Sequence, residues 1–230
     1  MTDWHSHILP NIDDGSQSVE ESIQLLKMLK QQGVDTVIAT PHFHANSISV
    51  DEFKENCQMA LKRLESSIPN DFPKIILGAE VKYYPGISRL ENLNKLCVEG
   101  TNILLLEMPF DKWTKYTINE ITELASTSRV TLVLAHIERY FSFVSSDTLT
   151  SLLQNGVLFQ ANASFFDRLS NRSKAIKMLK AGIISFIGSD LHNIKHRPPI
   201  LDRAYKVICK KLGQDYLVNL NEYEKYVLNE

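Results

Sequence analysis

Residues 1–15 read MTDWHSHILPNIDDG, and this stretch decides how the fold of the whole chain is interpreted. His5 and His7 are spaced i, i+2, so on an extended strand both imidazoles lie on the same face, close enough to share one metal ion. Asp14 follows seven residues after His7 and is followed by Gly15. A His-x-His pair with acidic residues just downstream indicates a divalent-metal site at the end of a strand.

The composition indicates one soluble domain that spans residues 1–230. The chain is 43% hydrophobic and 23% charged, which is ordinary for a globular protein of this length. The net charge of −2 argues against a nucleic-acid partner, because no excess of Lys and Arg is available to neutralise phosphates. No apolar run is long enough to span a membrane, so we expect no membrane insertion. No signal peptide is visible, and the three widely spaced cysteines predict a reducing compartment.

Strand-like and helix-like segments alternate about seven times along the chain, without a linker or a repeat. The apolar runs are continuous rather than alternating, as is typical of parallel strands covered by helices. The predicted strands are 3–7, 34–42, 74–84, 102–109, 130–136, 157–164 and 183–192. The predicted helices are 18–32, 51–67, 86–100, 117–127, 147–154, 170–181, 199–212 and 214–228. This alternation predicts a parallel α/β sheet, either closed as a barrel or open and doubly wound.

The placement of the polar residues favours a barrel. Imidazoles and carboxylates stand at or just past the C-terminal ends of the predicted strands, and in a barrel those ends meet at one mouth. In an open sheet they would be spread along an edge. With Asp14 the set has nine members, too many for one ion: His5, His7, Asp14, His42, Glu80, Glu107, His136, Asp190 and His192. Mixed imidazole and carboxylate ligation suits Mn²⁺, Fe²⁺ or Zn²⁺, and the lack of thiolates argues against a structural zinc site.

Cys57 and Arg63 have the C-x5-R spacing of cysteine-dependent phosphatases. That chemistry needs a loop whose free backbone N–H groups cradle the phosphate. The surrounding segment, DEFKENCQMALKRLESSI, has helical periodicity and no glycine, so its N–H groups are used within the helix. We therefore predict a structural Cys57.

Several motifs carry a family resemblance: HSHILPNIDDG from His5, ATPHF around His42, Glu80, HIERY from His136, and SDLHN followed by RPP from Ser189 onward. They resemble the PHP (polymerase and histidinol phosphatase) superfamily. Within it they look like the CpsB/CapC branch, the bacterial metal-dependent protein-tyrosine phosphatases encoded with capsule and exopolysaccharide genes. The resemblance covers nearly the whole chain, with the motifs in order and suitably spaced.

The resemblance implies a distorted (βα)7 barrel, similar to a TIM barrel, with three divalent ions at the C-terminal strand ends. Mn²⁺ is the first expectation, with Fe²⁺ or Zn²⁺ as alternatives. The ligands implied for the three ions are, in turn, His5, His7, Glu80 and Asp190; Glu80, Glu107 and His136; and Asp14, His42 and His192. Asp13 stands beside Asp14 and could exchange roles with it, whereas His44 and His196 have no matching place in the pattern.

The resemblance also implies the catalytic groups. Arg139 and Arg197 are expected at the same mouth, where they would grip phosphate oxygens. Three divalent ions and four carboxylates leave the pocket with a charge of about +2, which attracts a phosphate dianion. The implied reaction is metal-assisted hydrolysis without a covalent enzyme intermediate. His42, Asp14 or a metal-bound water would protonate the leaving tyrosine oxygen.

The implied partner is the phosphotyrosine tail of a bacterial tyrosine kinase. The resemblance thus implies a cytoplasmic chain that this kinase would recruit to the inner face of the membrane. Its oligomeric state is not indicated. Aromatic residues near the mouth could stack on a phosphotyrosine ring; the candidates are Phe43, Tyr83, Tyr84, Phe110, Trp113, Tyr140, Phe165 and Phe166.

Three other functions compete with this one. A small-molecule phosphatase of the histidinol-phosphatase type would use the same metal site. A nuclease or proofreading module is disfavoured, because the chain has no basic stripe with interleaved aromatic residues. A metal-binding regulatory protein with a decayed site is disfavoured, because all nine ligand positions are filled.

Overall fold

The computed structural model describes residues 1–127 and 130–229 and has an α/β fold with a curled parallel sheet. Its strands are β1 (Thr2–Ser6), β2 (Thr36–Ala39), β3 (His42–Phe43), β4 (Lys74–Leu77), β5 (Glu80–Lys82), β6 (Ile103–Glu107), β7 (Thr131–Leu134), β8 (Leu158–Asn162) and β9 (Phe186–Gly188). Its helices are α1 (Val19–Gln31), α2 (Val50–Glu65), α3 (Lys115–Ser126), α4 (Ser146–Gln154), α5 (Ala163–Asp167), α6 (Leu169–Lys180), α7 (Leu201–Leu212) and α8 (Gln214–Val227). Among these described residues, no helix combines the length and apolar character needed to cross a membrane.

The strands pair in parallel in the orders β1-β2-β4 and β3-β5-β6-β7-β8-β9. β3 and β5 continue the directions of β2 and β4 after short breaks, one of which contains Pro41, a residue without the N–H that a ladder needs. The segments 34–42 and 74–84, predicted as single strands, are therefore each divided in two. The two ladders form one curled surface whose polar strand ends point the same way.

The first strand lies beside the segment that follows the last one. The Asp190 N–H donates to the His5 carbonyl at 2.8 Å, and the His7 N–H donates to the Leu191 carbonyl at 3.0 Å. Buried Asp3 accepts hydrogen bonds from the backbone N–H and the Oγ of Ser189 at 2.7 and 2.5 Å. Residues from the two ends of the fold thus meet at one place.

The core has two parts. A large cluster lies between the sheet and its helices, and a smaller one lies on the inner face of the sheet, with Trp4, Ile38 and Phe186 among its members. Leu228 packs against this inner cluster from the end of α8. Helix α8 also brings buried Glu224 beside Thr2, the first residue of β1. The C-terminal helix therefore covers the N-terminal ends of the strands, opposite the polar residues.

We expect Glu224→Gln to make the protein more stable at alkaline pH. Burial raises the pKa of the Glu224 carboxyl from 4.5 to about 8, so the folded chain retains a proton that the unfolded chain has lost. This group's contribution is complete below pH 4.5 and falls as the pH rises through about 8, by up to about 1.4 kcal/mol per pH unit. Thermal unfolding of both proteins at pH 5, 7 and 9 should give a stability gap that widens with pH. A constant gap would contradict the prediction.

Two parts of the predicted secondary structure were wrong. Segment 86–100, predicted as a helix, contains two single turns of 3₁₀ helix, Ile87–Arg89 and Leu93–Leu96, separated by Asn92 in a left-handed conformation. Helix α5 was not predicted, because its five residues are too few to give a helical periodicity.

Candidate metal centre

The nine residues expected as ligands all lie at the C-terminal ends of the strands, around one open cavity of about 550 Å³. Four of them are almost completely buried behind the cavity or at its floor: His5, His7, Glu80 and His136. The residues that line the cavity are Ile12, Asp13, Asp14, His42, His44, Glu80, Lys82, Glu107, Phe110, Arg139, Asp190, His192 and Arg197.

The His-x-His pair has the geometry expected of residues on one strand face. Nε2 of His5 and Nε2 of His7 lie 3.2 Å apart, and both rings are fully buried. The same two nitrogens lie 3.1 and 3.2 Å from Oε2 of Glu80. They lie 3.7 and 3.6 Å from Oδ1 of Asp190. Two imidazoles and two carboxylates therefore aim at one point.

The close approach of β9 to β1 depends on a glycine. A Cβ on Gly188 would lie 2.4 Å from the His5 Cβ and 2.9 Å from the Gln160 Nε2. We therefore expect Gly188→Ala to push β9 away from β1, with a loss of about 1–3 kcal/mol or more in unfolding free energy. Urea unfolding measures the loss. Gly78→Ala is the control, because its Cβ would come no closer than 3.2 Å to Val98 and should be tolerated better. Equal losses in the two variants would contradict this account.

Asp13 and Asp14 have different environments. Oδ2 of Asp13 lies 2.6 Å from Nδ1 of His7, the ring nitrogen that faces away from the cluster, and also accepts the His42 N–H. Asp14 is two-thirds exposed, and its Oδ1 lies 3.5 Å from Nε2 of His42 and 3.5 Å from Nε2 of His192. Asp13 is thus placed to orient an imidazole, and Asp14 to face the cavity.

Glu80 bridges the two halves of the centre. Its Oε2 faces the β1 histidines and lies 3.1 Å from Nδ1 of His42, whereas its Oε1 lies 2.8 Å from Nε2 of His136. Glu107 completes this half, with Oε1 at 3.5 Å from the same His136 nitrogen. His136 and Asp190 both have positive φ, at 36° and 54°. Such backbone conformations are uncommon outside glycine and concentrate at functional sites.

Arg139 and Arg197 stand on the cavity wall, each with more than a third of the side chain exposed. A terminal nitrogen of Arg139 donates to Oδ2 of Asp190, and a terminal nitrogen of Arg197 forms an ion pair with the same oxygen at 2.7 Å. A guanidinium has five N–H groups, so both arginines keep donors for an anion in the cavity. The carboxylate that faces the imidazoles is therefore held by the same cations that would hold a phosphate.

The titration of the cluster reflects an excess of negative charge. Burial opposes protonation of His7, but hydrogen bonds to Asp13 and Glu80 outweigh it and raise its pKa to about 10. Burial likewise opposes protonation of His136, and its hydrogen bonds to Glu107 and Glu80 raise its pKa to about 9. Despite burial, the neighbouring imidazoles hold the pKa of Glu80 well below its ordinary value. These buried carboxylates need positive charge nearby, and divalent cations are able to supply it in place of ring protons.

The residues fit a metal centre. Three groups have donor atoms within 4.8 Å of one another: His7, Asp14, His42 and His192; His5, His7 and Asp190; and His42, Glu80 and Glu107. Within the described part of the chain, three buried ring nitrogens form no hydrogen bond, although two of them lie 3.1–3.5 Å from a carboxylate oxygen: His42 Nδ1, His136 Nδ1 and His192 Nε2. Burial lowers the pKa of His42, and that of His192 to about 4, so both are neutral and have lone pairs available. The grouping differs from the expected one in three ways: His7 joins the third set, Glu80 is absent from the first, and His42 stands where His136 was expected in the second. His136 belongs to none of these three groups, although its Nε2 lies 2.8 Å from Glu80 and 3.5 Å from Glu107.

Four features of the site were missed or undecided. Lys82 lines the cavity, but an exposed lysine at the end of a strand does not by itself indicate a site residue. Gln160 and Asn162 contact the ligands, and their signal was visible: two amides at i, i+2 in a buried strand. His44 lines the cavity with its ring 5.8 Å from that of His42, whereas His196 is exposed outside it.

Of the eight aromatic residues, only Phe110 lines this cavity; Tyr84 is half-buried, and six are buried in the described structure, namely Phe43, Tyr83, Trp113, Tyr140, Phe165 and Phe166. The Phe110 ring is about half exposed and lies 5.7 Å from the rings of His136 and Tyr140. Cys57 is buried within α2, and burial raises the pKa of its thiol to about 12. The prediction of a structural cysteine in a helix is confirmed.

A curled parallel α/β sheet, with imidazoles, carboxylates and two arginines gathered at its strand ends, defines a protein with a candidate polynuclear metal centre for an anionic substrate. Residues 1–225 match the family model described as "Capsular polysaccharide synthesis, CpsB/CapC". The chain belongs to the CpsB/CapC family.

Curated relatives match along almost their full lengths. CapC of Staphylococcus aureus is 32% identical, over 95% of this chain and 89% of the relative. The tyrosine-protein phosphatase YwqE of Bacillus subtilis is 30% identical, over 99% of this chain and 91% of YwqE. A solved structure described as that of YwqE from Bacillus subtilis and CpsB from Streptococcus pneumoniae, "unique metal-dependent tyrosine phosphatases", superposes with a TM-score of 0.84. It has 25% identity and covers all of this chain and 95% of its own.

Proposed function

We propose that the chain is a metal-dependent protein-tyrosine phosphatase, formed by one PHP-type domain over residues 1–230 with a (βα)7 barrel. Three divalent ions, with Mn²⁺ as the first candidate, would be held by the nine residues named above. The observation that carries the proposal is the convergence of the buried Glu80 and Asp190 carboxylates, five imidazoles and two arginines at one cavity. The names of the family relatives YwqE and CpsB support the substrate class.

The chain's own residues have separable roles in this reaction. Bound divalent ions would supply Lewis-acid activation of water and charge neutralisation at the phosphate. Arg139 and Arg197 bind the equatorial phosphate oxygens through the N–H groups that Asp190 leaves free. His42, Asp14 or a metal-bound water would supply the proton to the leaving oxygen; Asp14 is exposed at the mouth, with Oδ1 3.5 Å from His42. A tyrosine oxygen has a pKa of about 10, so it needs this proton less than an alkoxide does.

The experiment that tests the function compares two substrates. We expect Mn²⁺-loaded protein to hydrolyse a phosphotyrosine peptide from a kinase tail with a higher kcat/KM than histidinol phosphate. The two compounds share the phosphate and differ in the leaving group, so the comparison separates the tyrosine-phosphatase proposal from the small-molecule alternative. A kcat/KM about a hundredfold higher for histidinol phosphate, which corresponds to about 2.7 kcal/mol, would contradict the proposal.

The chain is proposed to act in the cytoplasm on the phosphotyrosine tail of a tyrosine kinase. Such a kinase would be attached to a membrane polysaccharide-export protein and recruit the chain to the inner face of the membrane. The capsular family match supports this setting. Co-sedimentation with vesicles carrying the phosphorylated tail, but not with bare vesicles, is the expected result.

Phe110→Ala should weaken recognition of the aromatic leaving group. The ring is half exposed at the cavity and already stacks near His136 and Tyr140, so it offers a face to a phosphotyrosine ring. An aromatic pair contributes about 0.5–1.5 kcal/mol, which predicts a loss of about twofold to tenfold in kcat/KM. Hydrolysis of an alkyl phosphate should not change.

The control for Phe110 is Tyr116→Ala, because Tyr116 is an exposed aromatic residue on α3 that does not line the cavity. Equal losses on the aromatic and alkyl substrates in Phe110→Ala would show that the ring does not contact the leaving group.

A further inference from the structure

Strand β8 brings no imidazole or carboxylate to the centre, yet two of its side chains contact the cluster. Gln160 and Asn162 are spaced i, i+2, so both point to the same face of the sheet, and both are buried. Their amides form a chain of hydrogen bonds that begins at His5 and ends at Asp190. Both of these end residues belong to one of the groups able to hold a metal ion.

One backbone amide sets the direction of this chain. The His136 N–H can only donate, and it donates to Oε1 of Gln160 at 2.7 Å. Nδ1 of His5 lies 3.2 Å from the same oxygen. Because an amide oxygen only accepts, the proton in this contact belongs to the imidazole. A neutral His5 therefore has its proton on Nδ1, and the lone pair on Nε2 is turned towards Glu80 and His7.

The other half of the chain orients Asp190. Nε2 of Gln160 donates to Oδ1 of Asn162 at 3.0 Å, and Nδ2 of Asn162 donates to Oδ2 of Asp190 at 2.9 Å. Arg139 donates to that same oxygen, and the Arg197 guanidinium forms an ion pair with it at 2.7 Å. With two donors and a second cation at Oδ2, the other carboxylate oxygen faces the two imidazoles of β1. The two amides thus orient the metal-facing lone pairs of both His5 and Asp190.

We propose that Gln160 is a positioning residue that fixes the Nδ1–H tautomer of His5 and, through Asn162, the orientation of the Asp190 carboxylate. The inference rests on the metal centre of the proposed function. The strand that contributes no ligand thereby presets two ligands from other strands for one divalent cation. Hydrogen-bond partners of metal ligands commonly change metal affinity by about 10–100-fold, which sets the expected size of the effect.

The test is a titration of metal-free, full-length protein with Mn²⁺, followed by calorimetry. Gln160→Met keeps the volume and removes both polar atoms, so it should weaken the affinity by about 10–100-fold. Gln160→Glu keeps an acceptor for His5 and for the His136 N–H, so it should bind more tightly than the Met variant. Gln58→Met, on the exposed face of α2, is the matched control and should bind like the native protein.

A second measurement reports the tautomer directly. In ¹⁵N-histidine spectra of the metal-free protein at alkaline pH, His5 should carry its proton on Nδ1, and the Met variant should show a mixture of tautomers. If the native protein does not bind Mn²⁺, the proposed function fails. If it binds and the Met variant keeps both the affinity and the tautomer, only the role of Gln160 fails. A Glu variant as weak as the Met variant would equally overturn the role of the acceptor oxygen.

Discussion

Glu80→Gln is expected to lower phosphotyrosine hydrolysis on the order of a thousandfold or more. Mutating a residue that only hydrogen-bonds to a metal ligand already lowers activity about 10–100-fold, and the loss of a ligand itself should be larger. The Glu80 carboxylate lies within 3.2 Å of imidazole nitrogens on both sides of the centre, so it is placed to bridge two cations. An amide of the same shape has one neutral oxygen and one N–H₂ group. It would aim a donor at nitrogens that must themselves accept, and it would remove one negative charge.

Steady-state kinetics at saturating Mn²⁺ and metal analysis of the purified variant measure this effect. The matched control is Glu99→Gln, because Glu99 lies at the surface and pairs with Lys54. Glu80→Gln should stay folded, since it removes a carboxylate from a crowd of polar groups and leaves the apolar core intact. A variant that is active and retains its full metal content would show that Glu80 is not a ligand.

His136→Ala should remove one bound ion and reduce turnover on the order of a hundredfold or more. The loss should be at least as large as that from mutating a residue that only hydrogen-bonds to a metal ligand. His136 is the imidazole that faces both Glu80 and Glu107, at 2.8 and 3.5 Å. Without it, the buried Glu80 and Glu107 carboxylates have no neutral imidazole nitrogen beside them to complete the ligand set of that ion.

Metal content per chain distinguishes this variant from a misfolded one. We expect native-like circular dichroism, one metal fewer per chain than in the native protein, and low activity that extra Mn²⁺ does not restore. His196→Ala is the control, because His196 is exposed outside the cavity. Unchanged turnover in His136→Ala would mean that the ligand assignment around Glu107 is wrong.

Periodicity predicted the parallel α/β fold because continuous apolar runs and amphipathic helices are local properties of the sequence. The placement of His5 and His7 on one face followed from strand geometry in the same way, and the structure confirms it. Segment 86–100 was mispredicted because its apolar spacing is compatible with a helix. Its backbone instead turns at Gly86 and Asn92, both with positive φ. Such turns depend on local conformations that spacing does not encode.

Contacts between distant side chains were beyond sequence reasoning. Nothing in the segment NIDDG separates the roles of Asp13 and Asp14, because their difference lies in what each carboxylate meets in space. The same holds for Gln160, whose partners are 155 residues away in His5 and 24 away in His136. The ion pairs of Arg139 and Arg197 with Asp190 were likewise invisible, since the resemblance placed the arginines only at the mouth.

The joining of β1 to the turn after β9 has a consequence for how this protein is made. His5 is synthesised long before Asp190, which shares its cluster. A nascent chain that stops short of residue 190 lacks the Asp190 carboxylate and the backbone hydrogen bonds that join β1 to the turn after β9. Cation uptake at this cluster would therefore follow the synthesis of Asp190, and a product truncated before that residue should emerge without the ion.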